Sequence, residues 1–220
     1  MFIGHYAAAL AAKVLAPRVS LGTLTCAALL ADLMFPVLFL LGLERAHWHA
    51  VHTGIAPIAF DYFPFSHSLL ALLLWGVLFG GLHYRWRRDW AAAAVLAALV
   101  VSHWLLDAVV HRPDLPLGLA DQVRIGLGLW NSTVATLAVE LSLLGGALML
   151  YRRATRGLGL RRWPLWVFVG LLLAAYLLLI FAPQPADLRA VAWAGLTQWL
   201  FVAIAWWIDR LPVGFVLSPV

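Results

Sequence analysis

Residues 102–113 read SHWLLDAVVHRP, and within this apolar run His103, Asp107 and His111 recur every four residues. A helix has 3.6 residues per turn, so side chains four positions apart lie on one face and form a polar stripe in apolar surroundings. Imidazole and carboxylate groups are common metal ligands, and three of them on one face suit a metal ion. The stretch therefore predicts a helix that carries part of a metal site.

The composition identifies an integral membrane protein. Of the 220 residues, 64% are hydrophobic and only 11% are charged, a balance far too apolar for a soluble domain of this size. The net charge of +5 could indicate a nucleic-acid partner, but the basic residues cluster between apolar segments, where membrane orientation explains them better. We therefore expect membrane lipids and no nucleic acid as partners. The single cysteine, Cys26, excludes an internal disulfide.

Apolar segments of about 20 residues match the roughly 30 Å hydrocarbon core of a bilayer and predict an all-α, polytopic fold. We predict a short N-terminal helix and six spanning helices, at residues 2–16, 21–41, 67–84, 90–110, 126–151, 163–181 and 191–208. The chain is expected to form one integral-membrane domain, residues 1–220. Within it, residues 1–151 form a polar-lined core and residues 152–220 a helical hairpin.

The basic residues predict how the chain is oriented in the membrane. Eleven of the 15 Lys and Arg residues fall on alternate ends of the predicted spans: Lys13, Arg18, Arg85, Arg87, Arg88, Arg152, Arg153, Arg156, Arg161, Arg162 and Arg210. By the positive-inside rule these ends face the cytoplasm. The opposite loops contain five acidic residues and are expected to face outward.

The polar residues of different segments are predicted to lie at one depth. Counting 1.5 Å per residue from each cytoplasmic end places His5, Asp32 and Glu140 at about 18 Å. The same count gives about 20 Å for His103 and about 25 Å for both His67 and Asp107, with His111 higher still. We therefore expect a polar, metal-binding layer in the outer half of the membrane.

Other interpretations exist for these residues. An Asp at the centre of a membrane helix costs roughly 2.5–3.5 kcal/mol, so Asp32, Asp107 and Glu140 are functional candidates by default. The alternative for each of the three is an internal hydrogen bond that fixes helix packing. His5 and His67 could each be structural histidines, but two aspartates at their depth favour a shared site.

The longest outer connection, residues 42–66, is predicted to be a lid or an interfacial loop. Its three histidines, His47, His49 and His52, are interpreted as solvated loop residues, because closely spaced loop histidines away from any carboxylate are weak evidence for a site. Serines beside His67 and His103 permit a Ser/His nucleophile pair. The chain lacks a G-x-S-x-G elbow, so we favour a role for these serines in orienting the imidazoles.

Four segments together resemble a family of bacterial inner-membrane, metal-dependent hydrolases regulated by DNA damage. The segments are Gly4-His5, Leu29-Leu30-Ala31-Asp32, Phe65-Ser66-His67-Ser68-Leu69-Leu70 and Ser102-His103-Trp104-Leu105-Leu106-Asp107, and the resemblance covers residues 1–117. Family members often have Arg-Gly-x-Thr-His-Ser where this chain has residues 63–68. The resemblance implies a multi-pass protein of the bacterial cytoplasmic membrane, with a metal-dependent hydrolytic site on the periplasmic side.

More distantly, the order of ligands resembles the zinc-dependent phospholipase C and P1 nuclease fold, which hydrolyses phosphodiesters at a three-zinc site. That resemblance implies one zinc ion held by four residues: Asp32, His67, His103 and Asp107. Asp107 would bridge to a second zinc ion, which His5 also holds, and His111 would begin a third site. No histidine follows His111 to complete that third site, so we expect one or two ions.

These observations predict a membrane-bound metal-dependent hydrolase that cleaves a phosphoester or phosphodiester of a lipid or lipid-linked substrate. The ligand types suit Zn²⁺, or else Mn²⁺ or Fe, which would activate water as the nucleophile. Asp107 would take part in catalysis, Arg112 would neutralise a phosphate and Glu140 would act as a general base or as a partner of a ligand.

Two rival functions use the same cluster of histidines and aspartates. A transporter would use it as a permeation site, and a non-catalytic protein would bind metal for storage or stability. Inverted repeats and helices broken in mid-span would favour transport. Apart from the short first helix, the sequence predicts neither feature, and it leaves the substrate and the oligomeric state open.

Overall fold

A computed structural model describes residues 1–48, 55, 57–120, 123–158, 160, 162–183, 185 and 187–209. The structure is 69% helical, as expected for an all-α membrane protein. These described residues contain ten α-helices: α1 (Ile3–Ala12), α2 (Leu21–Ala28), α3 (Leu30–Leu40), α4 (Pro64–His67), α5 (Leu69–Arg87), α6 (Trp90–Val110), α7 (Thr133–Ala154), α8 (Trp163–Phe181), α9 (Leu188–Gly195) and α10 (Gln198–Ile208).

Five helical segments of the described chain are long and apolar enough to cross a membrane. They are α5, α6, α7, α8 and the combined segment Leu188–Ile208, and the bent pair of α2 and α3 makes a sixth if the pair is counted as one span. The ten-residue helix α1 is too short to cross a bilayer on its own. These helices are consistent with a multi-pass membrane protein.

The predicted continuous helix at residues 21–41 is wrong in one respect, because the structure breaks it. Helices α2 and α3 meet at Leu29 with a bend of 55°. Leu29 has φ −100° and ψ 5°, outside the helical region, so the regular backbone ladder is interrupted there. A broken helix was not expected from the sequence, and this one lies directly beside the candidate site.

The start of α7 is also later than predicted. The helix was predicted to begin at residue 126, but it begins at Thr133. The Ser132 side chain caps it by accepting a hydrogen bond from the Ala135 amide. Before this cap, Gly128 has a positive φ of 72° and is followed by a short 3₁₀ turn, Leu129–Asn131. The apolar residues just before Thr133 therefore form a turn and not the first part of the helix.

Two small antiparallel sheets cover the candidate site at one end of the helices. In the connection of residues 42–66, strand β1 (Arg45–Trp48) pairs with β2 (Ile58–Tyr62). Strand β3 (Leu115–Pro116) pairs with β4 (Arg124–Ile125) between α6 and α7. Arg124 donates hydrogen bonds to the Phe60 carbonyl, at 3.1 Å, and to the Asp61 carbonyl, and so ties the two sheets together.

Helix α1 lies between two hydrophobic cores. On one side Ile3, Tyr6 and Leu10 pack with side chains of α7, α8 and α10. On the other side Ala9 and Ala12 pack with side chains of α2, α5 and α6. Because α8 and α10 contribute to a core with α1, the C-terminal helices fix the position of α1 in the fold. A histidine on α1 is therefore held in place from both sides.

Candidate metal centre

The structure brings together five of the six predicted metal ligands, and four helices provide them. Helix α1 contributes His5, α3 contributes Asp32 in its first turn, and the short helix α4 ends at His67. Helix α6 contributes both His103 and Asp107, one turn apart on its buried face. We call these five residues the cluster. All except Asp32 are buried.

The Nε2 atoms of the cluster histidines converge on the two carboxylates. Asp107 lies 3.1 Å from His5 Nε2 and 3.2 Å from His103 Nε2. His67 Nε2 lies 3.5 Å from Asp32 Oδ1 and 3.8 Å from Asp107 Oδ2, so this ring joins the two carboxylates. The Met1 amino group also contacts Asp107 Oδ1.

Two sets of three residues have a spacing that could hold a metal ion. The first set is His5, His103 and Asp107, and the second is Asp32, His67 and His103, with the ligand atoms of each set all within 4.8 Å of one another. His103 belongs to both sets. The rings of His5 and His103 stack with their centroids 3.7 Å apart. One central position or two adjacent positions are compatible with this geometry.

In two histidines of the cluster, His67 and His103, the Nδ1 atom has a hydrogen-bond partner outside the cluster. His103 Nδ1 lies 2.8 Å from the Ala28 carbonyl, which can only accept, so this nitrogen carries the proton. The Ser66 hydroxyl donates to Glu44 Oε2 at 2.6 Å, so it accepts from His67 Nδ1 at 2.7 Å. In both rings Nε2 is left with its lone pair toward the cluster. Metal-ligating histidines are typically oriented in this way, by a hydrogen bond from the ring nitrogen that does not bind the metal.

These lone pairs face carboxylate oxygens, which are acceptors as well. His103 Nε2 is buried and has no hydrogen-bond partner among the described residues. Two acceptors in contact do not stabilise each other, so a cation, either a proton or a metal ion, has to lie between them. The residues present therefore fit a metal ion with nitrogen and oxygen ligands.

His111, the sixth predicted ligand, lies at the edge of the cluster. Its Nε2 is 3.8 Å from Asp107 Oδ2, and it is in neither of the two ligand sets. His111 Nδ1 lies 2.8 Å from Asp114 Oδ1, so the ring is oriented like those of His67 and His103. The ring packs on Trp130 with centroids 4.2 Å apart. The structure thus places His111 next to the ligand sets and directed at them.

Two residues with predicted catalytic roles lie outside the cluster. Glu140 of α7 is buried and accepts hydrogen bonds from the amides of Phe2 and Gly4, at 3.0 and 3.1 Å. It therefore caps the start of α1, next to His5. Arg112 donates from Nε to Asn131 Oδ1 at 3.1 Å, at the exposed end of α6. This position is one residue from His111.

Glu44, one of the five acidic residues expected in the outward-facing loops, is buried. Its carboxylate accepts from the amides of Phe65 and Ser66, at 2.9 and 2.8 Å, as well as from the Ser66 hydroxyl. Asp114, similarly assigned, contacts His111. Neither role has a local signal in the sequence, because both depend on how the outer loops fold over the helices.

The remaining predicted polar residues are placed away from the cluster centre. Ser68 caps α5 by accepting from the Ala71 amide at 3.0 Å, and Ser102 donates to the Leu99 carbonyl at 2.7 Å. His47 lies 2.9 Å from Asp61 on the exposed face of the hairpin. The predictions for His49 and His52 lie outside the described residues.

The described residues form a helical structure, consistent with a multi-pass membrane protein, that contains a largely buried cluster of histidines and aspartates. Comparison of the chain with protein-family models, curated proteins and solved structures gives no match. The resemblances drawn from the sequence therefore stay predictions, and the geometry of the cluster is the basis for assigning a function.

Proposed function

We propose that this chain is an integral-membrane, metal-dependent hydrolase that cleaves a phosphoester or phosphodiester bond of a lipid or lipid-linked substrate. The observation that carries the proposal is the set of histidine Nε2 lone pairs directed at the carboxylates of Asp32 and Asp107. Two of these lone pairs are fixed by hydrogen bonds on the opposite side of the ring. Such pre-organised ligands are typical of metal sites.

The cluster residues would hold the metal, with Zn²⁺ preferred for its ligand types and Mn²⁺ or Fe as alternatives. When bound, such an ion supplies Lewis-acid activation of water and stabilisation of negative charge on a phosphoryl group. The carboxylate of Asp107 contacts four histidines, His5, His67, His103 and His111, and would hold an ion together with them. His111 lies close enough to adjust its ring toward either ion or substrate.

The surrounding residues support a lipid-borne phosphate as substrate. Hydrolysis transfers the water oxygen to phosphorus, breaks one ester P–O bond and gives a proton to the departing alcohol. Arg112 lies beside His111, where its guanidinium would neutralise a phosphate that projects from the cluster. The helices that provide the ligands pack among segments apolar enough to lie in a bilayer. We place the site on the periplasmic side of the bacterial cytoplasmic membrane.

A hydrolysis panel on the purified protein tests this proposal. The protein, loaded with Zn²⁺ or Mn²⁺ in lipid nanodiscs, is assayed with phospholipids, a polyprenyl phosphate and a soluble phosphodiester. We expect hydrolysis by the wild type and by His47→Ala, whose exposed ring pairs with Asp61, and no hydrolysis by Asp107→Asn. A metal-loaded wild type that hydrolyses none of these substrates would overturn the proposal.

Metal transport is a second candidate function, because the break between α2 and α3 lies beside the cluster. Broken helices with free carbonyls form ion sites in transporters. Here the Ala28 carbonyl at the break binds His103, so the break also serves to orient a ligand. Metal uptake into proteoliposomes containing a zinc-sensitive dye, abolished in Asp107→Asn, would favour transport if the hydrolysis panel gave no product.

A further inference from the structure

The cluster opens toward its surroundings at Asp32. This side chain is 23% exposed, whereas the side chains of His67, His103 and Asp107 are exposed by 6% or less. In the described part of the chain, the opening leads into a groove of about 130 Å³ between α3, the β1–β2 hairpin and α9. The groove is therefore a route by which a ligand reaches the cluster.

The walls of this groove are apolar. Helix α3 provides Phe35 and Pro36, strand β2 provides Ile58, and α9 provides Gly195 at the point of closest approach. A Cβ atom on Gly195 would lie 2.8 Å from Pro36 Cγ, so a larger residue there would enter the groove or push α9 away from α3. A water-soluble substrate would gain little from such walls, whereas an alkyl chain is stabilised by them.

One polar side chain besides Asp32 lines the groove. The buried Gln198 Oε1 atom has no hydrogen-bond partner among the described residues. An unsatisfied buried acceptor is destabilising. The Gln198 amide can donate from Nε2 to the ester oxygens that join an acyl chain to the head group, and its Oε1 can accept from a head-group hydroxyl. The groove therefore combines an apolar wall, one amide and a carboxylate of the cluster.

We infer that this groove binds the first part of an acyl chain of a glycerophospholipid, with the phosphate directed at the metal ion that the cluster would hold. The assignment rests on the proposed hydrolase function for its substrate class. The groove is smaller than the 300–1,000 Å³ typical of a pocket for a whole ligand, so only the chain segment next to the head group is enclosed. The flanking segments α2–α3 and Leu188–Ile208 are both candidate spans, so the rest of the lipid would stay in the bilayer.

Photolabelling tests the groove without relying on activity. The full chain in nanodiscs is irradiated with phosphatidylglycerol that carries a diazirine near the ester end of one acyl chain, and the adducts are mapped by mass spectrometry. We expect adducts on α3 and α9 in the wild type. Gly195→Leu, which fills the groove or displaces its α9 wall, and Ile58→Trp, which fills it from the hairpin, should each reduce them by roughly tenfold, the factor that corresponds to 1.4 kcal/mol of lost contact.

The matched control is Gly170→Leu on α8, where an added Cβ atom meets nothing within 4 Å. This variant should label like the wild type, and metal content shows that all variants retain the cluster. Adducts that map elsewhere, or that both groove variants leave unchanged, would overturn the inference. Labelling of α3 and α9 by a diazirine polyprenyl phosphate, and not by phosphatidylglycerol, would also overturn it.

Hydrolysis assays distinguish a failure of the groove inference from a failure of the proposed hydrolase function. Gly195→Leu should lose activity on long-chain phospholipid and retain it on a soluble phosphodiester, while Gly170→Leu retains both. Equal loss on both substrates would contradict a role for the groove in lipid binding. If the wild type hydrolyses neither substrate, the hydrolase proposal fails, and the photolabelling result alone decides whether the groove binds phospholipid.

Discussion

At the scale of single residues, the side chains around the cluster determine which nitrogen of each ring carries a proton. The Ala28 carbonyl fixes His103, and the pair formed by Ser66 and Glu44 fixes His67. Losing an outer partner of this kind typically weakens metal binding by about 10–100-fold. Variants of the residues that hydrogen-bond to the ligands therefore test metal binding, as variants of the ligands do.

Glu44→Gln tests the orientation of His67. The new amide would present N–H groups to Ser66 Oγ, so the Ser66 hydroxyl would turn and donate to His67 Nδ1, which moves the ring proton to Nε2. We expect metal affinity, measured by competition with a chelator, to fall by about 10–100-fold. Asp61→Asn on the exposed hairpin is the control. Equal affinity in the wild type and Glu44→Gln would contradict this account.

Variants of Glu140 distinguish a structural role of this residue from a catalytic role. Glu140→Leu leaves the buried amides of Phe2 and Gly4 without their acceptor and should lower the free energy of unfolding by about 1–3 kcal/mol. Glu140→Gln keeps an acceptor oxygen and should cost less. Thermal unfolding in detergent measures both variants. Unchanged stability together with complete loss of hydrolysis in Glu140→Gln would instead indicate that Glu140 transfers a proton.

At the scale of helices, the site depends on how closely α5 packs against α6. A Cβ atom on Gly80 would lie 2.6 Å from the Ala93 carbonyl, and one on Gly76 would lie 2.9 Å from the Ala97 carbonyl. Small residues four positions apart allow membrane helices to approach in this way. The contact holds α5, which follows His67, against α6, which carries His103 and Asp107.

Gly80→Ala should therefore separate the two helices. We expect a lower unfolding temperature and weaker metal binding, since His67 would move away from Asp107. The adjacent variant Gly81→Ala is a matched control because its added Cβ atom meets nothing within 4 Å. It should leave stability unchanged or raise it, since alanine favours a helix by about 1 kcal/mol over glycine. Similar unfolding temperatures for the two variants would contradict the close-packing argument.

The sequence predicts helices better than the points where they break. The spacing of His103 and Asp107 was enough to place them on one helical face, and the depth count predicted one layer that contains His5, Asp32 and His67. The bend at Leu29 has neither glycine nor proline at the break, so no local pattern indicated it. Glu44 could not be predicted either, because its burial depends on the folded hairpin.

At the scale of the whole molecule, a buried ionic network joins the end of the described chain to its beginning. Lys13 pairs with Asp209, which follows α10, and donates to the Val19 carbonyl at 2.7 Å. Asp209 also accepts from the Leu21 amide and the Tyr151 hydroxyl, both at 2.7 Å. The network fixes α1, α2, α7 and α10 at the ends of the helices opposite the cluster.

Removing one partner of this network should destabilise the whole fold. Lys13→Met leaves a buried carboxylate without its cation, which typically costs about 3–5 kcal/mol. The double variant Lys13→Met with Asp209→Leu should be more stable than Lys13→Met alone, because it removes the unpaired charge. Denaturant unfolding of the wild type, the two single variants and the double variant measures the free energy of unfolding of each. A double variant with strictly additive losses would show that the two residues do not interact.

Metal analysis of the purified protein tests the central claim most directly. The wild type, Asp107→Asn and His47→Ala are purified without chelators and measured by inductively coupled plasma mass spectrometry together with protein concentration. We expect one or two transition-metal ions per chain in the wild type and in His47→Ala, with the metal lost in Asp107→Asn. A wild type without metal after incubation with Zn²⁺ and Mn²⁺, or an Asp107→Asn variant with unchanged metal content, would contradict the account.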